Sequence, residues 1–349
     1  MVIPKLKKRA FVKDLFKNRS ARLQQKLGIT NIFAQNFLYK MSLIVVGTVA
    51  FDQIETPFGN SDKIVGGAAS YISLAASYLT GMDINLVSVI GDDFPNAFLD
   101  KLKAKGINQE GLQIKKGEKS FFWSGKYHYD MNSRDTLDTQ LNVLADFDPV
   151  LPESYKNCEY LMLGNLDPAV QLSVIEQLNQ RPKLIVLDTM NFWMDIAMEK
   201  LKEVIARVDV LTINDEEARQ LSGEYSLVKA ANKILTMGPS YLVIKKGENG
   251  ALLVNHEGMF FSPALPLEEV KDPTGAGDTF AGGFIGYLAQ SGDLSFENMK
   301  RAVVLGSAMA SFTVEEFGTD RLLNLDEREI DVRIQRFVDL VDFDILLTQ

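Results

Sequence analysis

The segment Asp272-Pro273-Thr274-Gly275-Ala276-Gly277-Asp278-Thr279-Phe280-Ala281-Gly282-Gly283-Phe284 carries residue types that phosphate chemistry uses, in a workable order. Proline and glycine give way to a small-residue run of helical periodicity, so a helix should begin near Gly275. Its first turn offers the backbone N–H groups of Ala276, Gly277 and Asp278 to an anion at the positive end of the helix dipole. Asp278 stands beside that hole as a carboxylate able to accept a proton. Glycines at a helix start can also serve packing alone, and an aspartate in a first turn can be a cap. No Gly-x-x-x-x-Gly-Lys-Ser/Thr string occurs, so a phosphate cradle here is not a Walker-type loop.

Such a turn must be positioned by a scaffold, and the chain from Met41 onward supplies the pattern of one. Short apolar runs at Leu43–Val46, Asn85–Ile90, Tyr160–Leu163, Leu184–Leu187, Val208–Ile213 and Tyr241–Lys245 alternate with segments of helical period, which predicts a parallel sheet flanked by helices. Polar and glycine residues follow the strands: Gly47 and Asp52, Gly91-Asp92-Asp93, Gly164-Asn165, Asp188, Asn214 to Glu217, and Gly247-Glu248. In open α/β sheets that edge binds ligands, although some of these residues are expected to be caps and turns.

Two stretches break the alternation, near residues 53–65 and 113–142. The second places Phe121, Trp123, Gly125, Tyr127 and Tyr129 at period two, the mark of a β-hairpin lid. Its aromatic face would stack on a ligand, fill the underside of the lid or meet a second lid in a homodimer.

The string Asp272 to Asp278 with its small-residue helix resembles the signature of the ribokinase-like carbohydrate kinases, the PfkB family, and the resemblance extends over residues 41–349. Gly66-Gly67, followed by Ala68 to Tyr71 and an apolar helix, resembles that family's di-glycine substrate loop. Asp52 falls where the family keeps a carboxylate for substrate hydroxyls. Asn214 and Glu217 match its Asn-x-x-Glu element, associated with Mg2+ through water. Lys246, Gly247, Gly250 and Thr274 fall where it lines the nucleotide site.

The resemblance implies a three-layer α/β/α sandwich with a mostly parallel sheet and a small β lid. It implies transfer of the γ-phosphate of ATP to a hydroxyl of a sugar, polyol or nucleoside. Asp278 would be the general base, and Gly275, Ala276 and Gly277 the anion hole. The physical reading agrees, because phosphoryl transfer rests on positioning and charge stabilisation. ATP and Mg2+ are the expected cofactors, and a monovalent cation such as K+ is compatible with the same set.

The chain departs from the ribokinase pattern in the substrate pocket. Tyr71 stands where ribokinase-type members have asparagine after the di-glycine, and Asn165 roughly where they have glutamate. Losing a partner matched to one hydroxyl discriminates strongly, so ribose itself is disfavoured as the acceptor. Arg134, in Asn132-Ser133-Arg134-Asp135 of the lid, offers a fork for a phosphate or an anionic acceptor. Two other classes remain for comparison. A nicotinamide oxidoreductase is argued against by Phe280 and by the prolines between Phe260 and Asp272; a non-catalytic nucleotide or sugar sensor on the same fold would have no need of Asp278.

Charge and composition bound the partners. Residues 1–40 hold 10 of the 37 basic residues and one acid, Asp14, whereas residues 41–349 hold 45 of the 46 acidic ones. The first 40 residues are therefore expected to be a basic extension outside the fold, with an interfacial amphipathic helix over Pro4–Lys26 as the other reading. An acidic remainder argues against nucleic acid, and no apolar run nears the roughly 20 residues that span a bilayer. The lone Cys158 excludes an intrachain disulfide and fits a buried thiol in the cytoplasm. His128 and His256 have no partner constellation and are expected to be structural or exposed.

Overall fold

The computed structural model describes residues 42–342, so the expectations for residues 1–40 lie outside the described residues. In chain order the strands are β1 (Ser42–Val46), β2 (Ala50–Thr56), β3 (Gly59–Asn60), β4 (Ile64–Gly66), β5 (Asp83–Gly91), β6 (Ile107–Lys115) and β7 (Phe122–Tyr127). They continue with β8 (Arg134–Gln140), β9 (Tyr160–Leu163), β10 (Leu184–Asp188), β11 (Val210–Asn214), β12 (Tyr241–Lys245), β13 (Ala251–Asn255) and β14 (Gly258–Ser262). The α-helices are α1 (Ala68–Leu79), α2 (Asn96–Ala104), α3 (Pro168–Glu176), α4 (Asn191–Ile196), α5 (Met198–Ile205) and α6 (Asp215–Ser222). After them come α7 (Leu227–Leu235), α8 (Ala276–Ser291), α9 (Phe296–Thr313), α10 (Asp320–Leu323) and α11 (Glu327–Leu340).

Nine strands form the large sheet in the order β14-β13-β12-β11-β10-β9-β1-β5-β6. From β6 to β12 every pair is parallel, and β13 and β14 close one edge antiparallel. All six strands read from the apolar runs are present. The edge strand β6 is absent from those runs, and only its end falls in the lid stretch expected from residue 113, because its sequence, Ile-Asn-Gln-Glu-Gly-Leu-Gln-Ile-Lys, is too polar to show as a buried run.

Alternation along the strands divides the core. Val46, Leu163, Leu187, Ile213 and Ile244 join Leu172, Leu201, Ala218 and Ile234 of α3, α5, α6 and α7 in one apolar cluster. The intervening residues, Val45, Met162, Val186, Val210 and Val243, are equally buried and face the other way. On that side α8 lies against α1 and α9. A Cβ on Gly282 would stand 2.3 Å from the Ile72 carbonyl oxygen, one on Gly286 2.9 Å from the Ala76 Cα, and one on Gly283 3.0 Å from the Gly306 Cα. The small-residue run is thus what draws α8 onto α1, and overpacking it should cost about 1–3 kcal/mol.

A second sheet of five strands has the order β3-β2-β7-β8, with β4 also paired to β2. Its β2–β7 pair is parallel and the others antiparallel. The hairpin expected from the aromatic period is β7–β8, with a bulge between Ser124 and Gly125.

Candidate active site

Helix α8 opens at Gly275, whose φ of 75° is left-handed and which lies so close to Tyr71 that a Cβ would stand 2.4 Å from the ring. Glycine alone satisfies both constraints. The Ala276 N–H, expected to be an open donor, turns back onto the Pro273 carbonyl at 3.2 Å. Among the described residues the N–H groups of Gly277 and Asp278 have no backbone partner, so the hole is theirs. The preceding turn is held by the buried Asp272 carboxylate, which accepts from the Thr274 N–H at 2.8 Å and the Gly318 N–H at 3.4 Å. Thr274 Oγ1 donates to the Tyr127 hydroxyl at 3.2 Å, which ties this turn to the small sheet.

Asp52 comes from that sheet. Its residue pairs with Ile64 on β4 and Trp123 on β7, and the carboxylate rests against Gly66, where a Cβ would lie 1.8 Å from Oδ2. Burial, the Asp272 and Asp278 charges push its pKa up to about 7, against a hydrogen bond from the Gly67 N–H. Tyr71, in the first turn of α1, feels the charges of Asp52, Asp272 and Asp278. Its ring meets Gly275, its acidity is suppressed by burial and by Asp52, Asp272 and Asp278, and its hydroxyl is buried without a hydrogen-bond partner. A buried orphan hydroxyl costs free energy, so this one is a ready donor and acceptor for a ligand.

On the other side of Gly277 three adjacent strand ends meet. Lys245 Nζ lies 2.5 Å from Asp188 Oδ2, which also accepts from Thr212 Oγ1 at 2.8 Å. Burial lifts the Asp278 carboxyl to about 7, with Asp188 and Glu217 adding to the rise and Lys245 and Arg134 opposing it. Glu217 is raised to about 7 in the same way, by burial first. Asn214 and Glu217 form a reciprocal capping box: the Glu217 N–H donates to Asn214 Oδ1 at 2.8 Å and the Asn214 N–H to Glu217 Oε2 at 2.7 Å. The Asn-x-x-Glu element is therefore a helix start as well as a candidate metal site.

Arg134 begins β8 opposite Tyr127, with its guanidinium carbon 5.8 Å from the centre of the Trp123 ring. Its charge favours the ionised forms of Asp278 and Glu217. At the tip of the same hairpin Asn132 approaches Gly247, where a Cβ would stand 2.8 Å from Oδ1. Gly250, with φ of 89°, is pressed against the Ser262 carbonyl and has a structural reason of its own.

Two expected residues go elsewhere. Lys246 holds its ammonium 5.9 Å from the Phe261 ring centre, and it is the neighbouring Lys245, passed over in the sequence, that enters the cluster. Asn165 accepts from Trp193 Nε1 at 2.8 Å and donates to Met190 Sδ at 3.0 Å. Asp188 was visible only as one polar residue after a strand. Cys158 is buried with its thiol pushed up to about 12 by burial, an inert group. His128 is exposed and bonded to Asp135 at 2.9 Å, and His256 is exposed.

The donor set fits a magnesium nucleotide. Asp188 is paired with Lys245, and the Glu217 and Asp278 carboxyls, raised first by burial, lie within the electrostatic reach of Lys245 and Arg134. Among the described residues no three acidic, His or Cys groups form a metal-ligand cluster. Asn214 and Glu217 are the residues that could hold Mg2+ through water, a usual mode for this ion. The open N–H groups at Gly277 and Asp278 suit the phosphates.

Comparison with known proteins agrees with this geometry. A model described as "pfkB family carbohydrate kinase" matches residues 39–325. The cytidine kinase of Thermococcus kodakarensis is 32% identical over 252 residues, covering 70% of this chain and 87% of that protein. The nucleoside kinase of Methanocaldococcus jannaschii, solved as an archaeal member of the ribokinase family, superposes with a TM-score of 0.68 at 23% identity, over 85% of this chain and 99% of that one. Aminoimidazole riboside kinase from Salmonella enterica, complexed with aminoimidazole riboside and an ATP analog, superposes at 0.66 and 21% identity, over 84% and 99%.

Proposed function

This chain belongs to the pfkB family of carbohydrate kinases and is a phosphotransferase with an alcohol acceptor; on that premise we propose that it carries the γ-phosphate of ATP, with Mg2+, to a hydroxyl of a nucleoside. The observation that carries the reading is the electrostatically coupled set Asp52, Tyr71 and Asp278, with the Tyr71 ring against Gly275: a carboxylate suited to hydroxyls, an orphan hydroxyl and a candidate base beside one helix start. Asp52 and Trp123 are register partners in the parallel β2–β7 pair and so project from one face of the small sheet. A hydroxyl site beside an aromatic side chain suits a ribose carrying a flat base, and the similarity to a cytidine kinase supports the same class.

In the mechanism Asp52 holds the non-reacting hydroxyls, and Asp278 takes the proton from the attacking one. The Gly277 and Asp278 N–H groups receive charge from the transferring phosphoryl group, and Arg134 covers the site from the small sheet. Mg2+, when bound with ATP, supplies charge neutralisation at the phosphates. The test is phosphoryl transfer from ATP·Mg2+ to a panel of nucleosides, free sugars and polyols, with and without K+. Turnover of free ribose or a polyol above that of every nucleoside would refute the nucleoside assignment, and the K+ arm decides a monovalent requirement.

The same proposal places residues 1–40 outside the catalytic fold and the protein in the cytoplasm. No helix among the described residues is long and apolar enough to cross a membrane. Exposed Phe58 and Tyr129, with rings 6.0 Å apart, and exposed Leu137 on the edge strand β8 support a homodimer through the small sheet, which light scattering would measure.

A further inference from the structure

We propose that Lys245 is the protein's own cation at the phosphoryl-transfer centre, contacting the terminal phosphate of the nucleotide, with Asp188 and Thr212 as the residues that position it. The assignment rests on the kinase reading for its chemistry and on separate geometry for its location.

Lys245 ends β12, and alternation sets its side chain on the α8 side of the sheet together with Val243, opposite Ile244 and Lys246. The neighbouring ends of β10 and β11 place Asp188 and Thr212 on that same side, in register with each other. The ammonium is thereby fixed rather than free: Asp188 Oδ2 holds it at 2.5 Å, and Thr212 Oγ1 holds Asp188 at 2.8 Å. The position it is fixed in is the mouth of the anion hole, since a Cβ at Gly277 would stand 3.1 Å from Nζ. A side chain at residue 277 would crowd the ammonium, so glycine keeps the lysine close to the start of α8.

A buried ion pair is weak evidence for stability, because well-packed apolar residues do as well. This pair has a different use. Burial pulls the Lys245 pKa down, but Asp188, Glu217 and Asp278 outweigh it, so the ammonium stays charged with its three donors oriented. One donor serves Asp188, and an ammonium with three donors has two more to offer a phosphate at the neighbouring Gly277 turn. In the transfer step the acceptor oxygen forms the new bond to the γ-phosphorus and its proton passes to Asp278. The bond from that phosphorus to the β–γ bridging oxygen breaks, and ADP leaves with the electron pair. Lys245 moves no proton; it bears on charge developing at the phosphoryl oxygens.

The experiment compares wild type with Lys245→Met by calorimetric titration of a non-hydrolysable ATP analogue and of AMP, and by kcat and both KM values. Loss of at least tenfold in analogue affinity and in kcat, with AMP affinity and acceptor KM within threefold, is expected. An unchanged ratio of triphosphate to monophosphate affinity would overturn the proposal even if Tm falls, since a purely structural lysine moves stability and not that ratio. If Lys245→Met alone does not fold, the double variant Asp188→Asn/Lys245→Met, which leaves no unpaired buried charge, is read by the same ratio. A wild type inactive on the whole acceptor panel would defeat the kinase reading, while the binding ratio would still judge Lys245.

Discussion

Replacing Asp52 by asparagine should weaken the acceptor site and stabilise the ligand-free fold at the same time. The structure buries this carboxylate beside Asp272 and Asp278, with a folded pKa of about 7 against the ordinary 3.8. The folded value is the higher one, so its stabilising form is the protonated one. That contribution is whole below about pH 4 and is lost as pH rises through about 7. A gap of about three pH units at ~1.36 kcal/mol each makes ionised Asp52 cost near 4 kcal/mol at pH 8. Asparagine keeps the shape beside Gly66 and an oxygen for the Gly67 N–H, but carries no charge to desolvate. With ~2 cal/mol/K of unfolding entropy per residue over about 300 residues, recovering all of it would raise Tm by at most about 6 °C. Scanning calorimetry of wild type and variant at pH 4 and pH 8 should therefore show a gain that is large at pH 8 and small at pH 4. Acceptor kcat/KM should fall about ten- to hundred-fold, as for loss of a charged hydrogen bond of about 1.5–3 kcal/mol. A variant less stable than wild type at pH 8, with unchanged acceptor kcat/KM, would show that Asp52 is a structural turn residue and refute the argument.

Asp278→Asn should lower kcat by about 10² to 10⁴ while ATP affinity stays within a few-fold, because the Gly277 N–H survives and only the base is lost. In wild type, acceptor kcat/KM should rise with pH through about 7 as Asp278 ionises, and a profile flat from pH 5 to 9 would count against it as base. Tyr71→Phe removes an unpartnered buried hydroxyl, so acceptor kcat/KM should drop about 2- to 12-fold with Tm unchanged or higher; a fall in Tm would mean the hydroxyl is bonded within the fold. A chain beginning at Met41 should retain full activity, checked by steady-state kinetics beside the full chain, since every proposed site residue lies between 52 and 278.

The sequence was most legible where physics repeats itself along the chain. Buried parallel strands are uninterrupted apolar runs, so β1, β5, β9, β10, β11 and β12 showed themselves, while the polar edge strand β6 did not. The α8 turn was legible because glycine, proline and aspartate have few other reasons to stand in that order. What a linear reading handles poorly is direction. In Lys245-Lys246 the two ammonium groups are chemically identical, and only the pleat decides that the first meets Asp188 beneath Gly277 while the second lies over Phe261. Asp188 was hidden for a related reason: its significance is a contact across two strands with a residue 57 positions away. Asn165 shows the same limit, since its bonds to Trp193 and Met190 join it to residues 28 and 25 positions away that the sequence did not connect with it.

The residues that the pleat brings together share a physical property that no single one has. Asp52, Glu217 and Asp278 are all raised to about 7 by burial first, in a fold whose described helices and strands give each of them an orderly reason to be where it is. Glu217 caps α6, Asp278 lies in the first turn of α8, and Asp52 is a register residue of β2. The local rules are obeyed, yet three carboxyls are held away from water. Natural sequences break consistency at working sites, and this burial is the kind of cost that a divalent cation, a hydroxylated acceptor and a fixed lysine would relieve together.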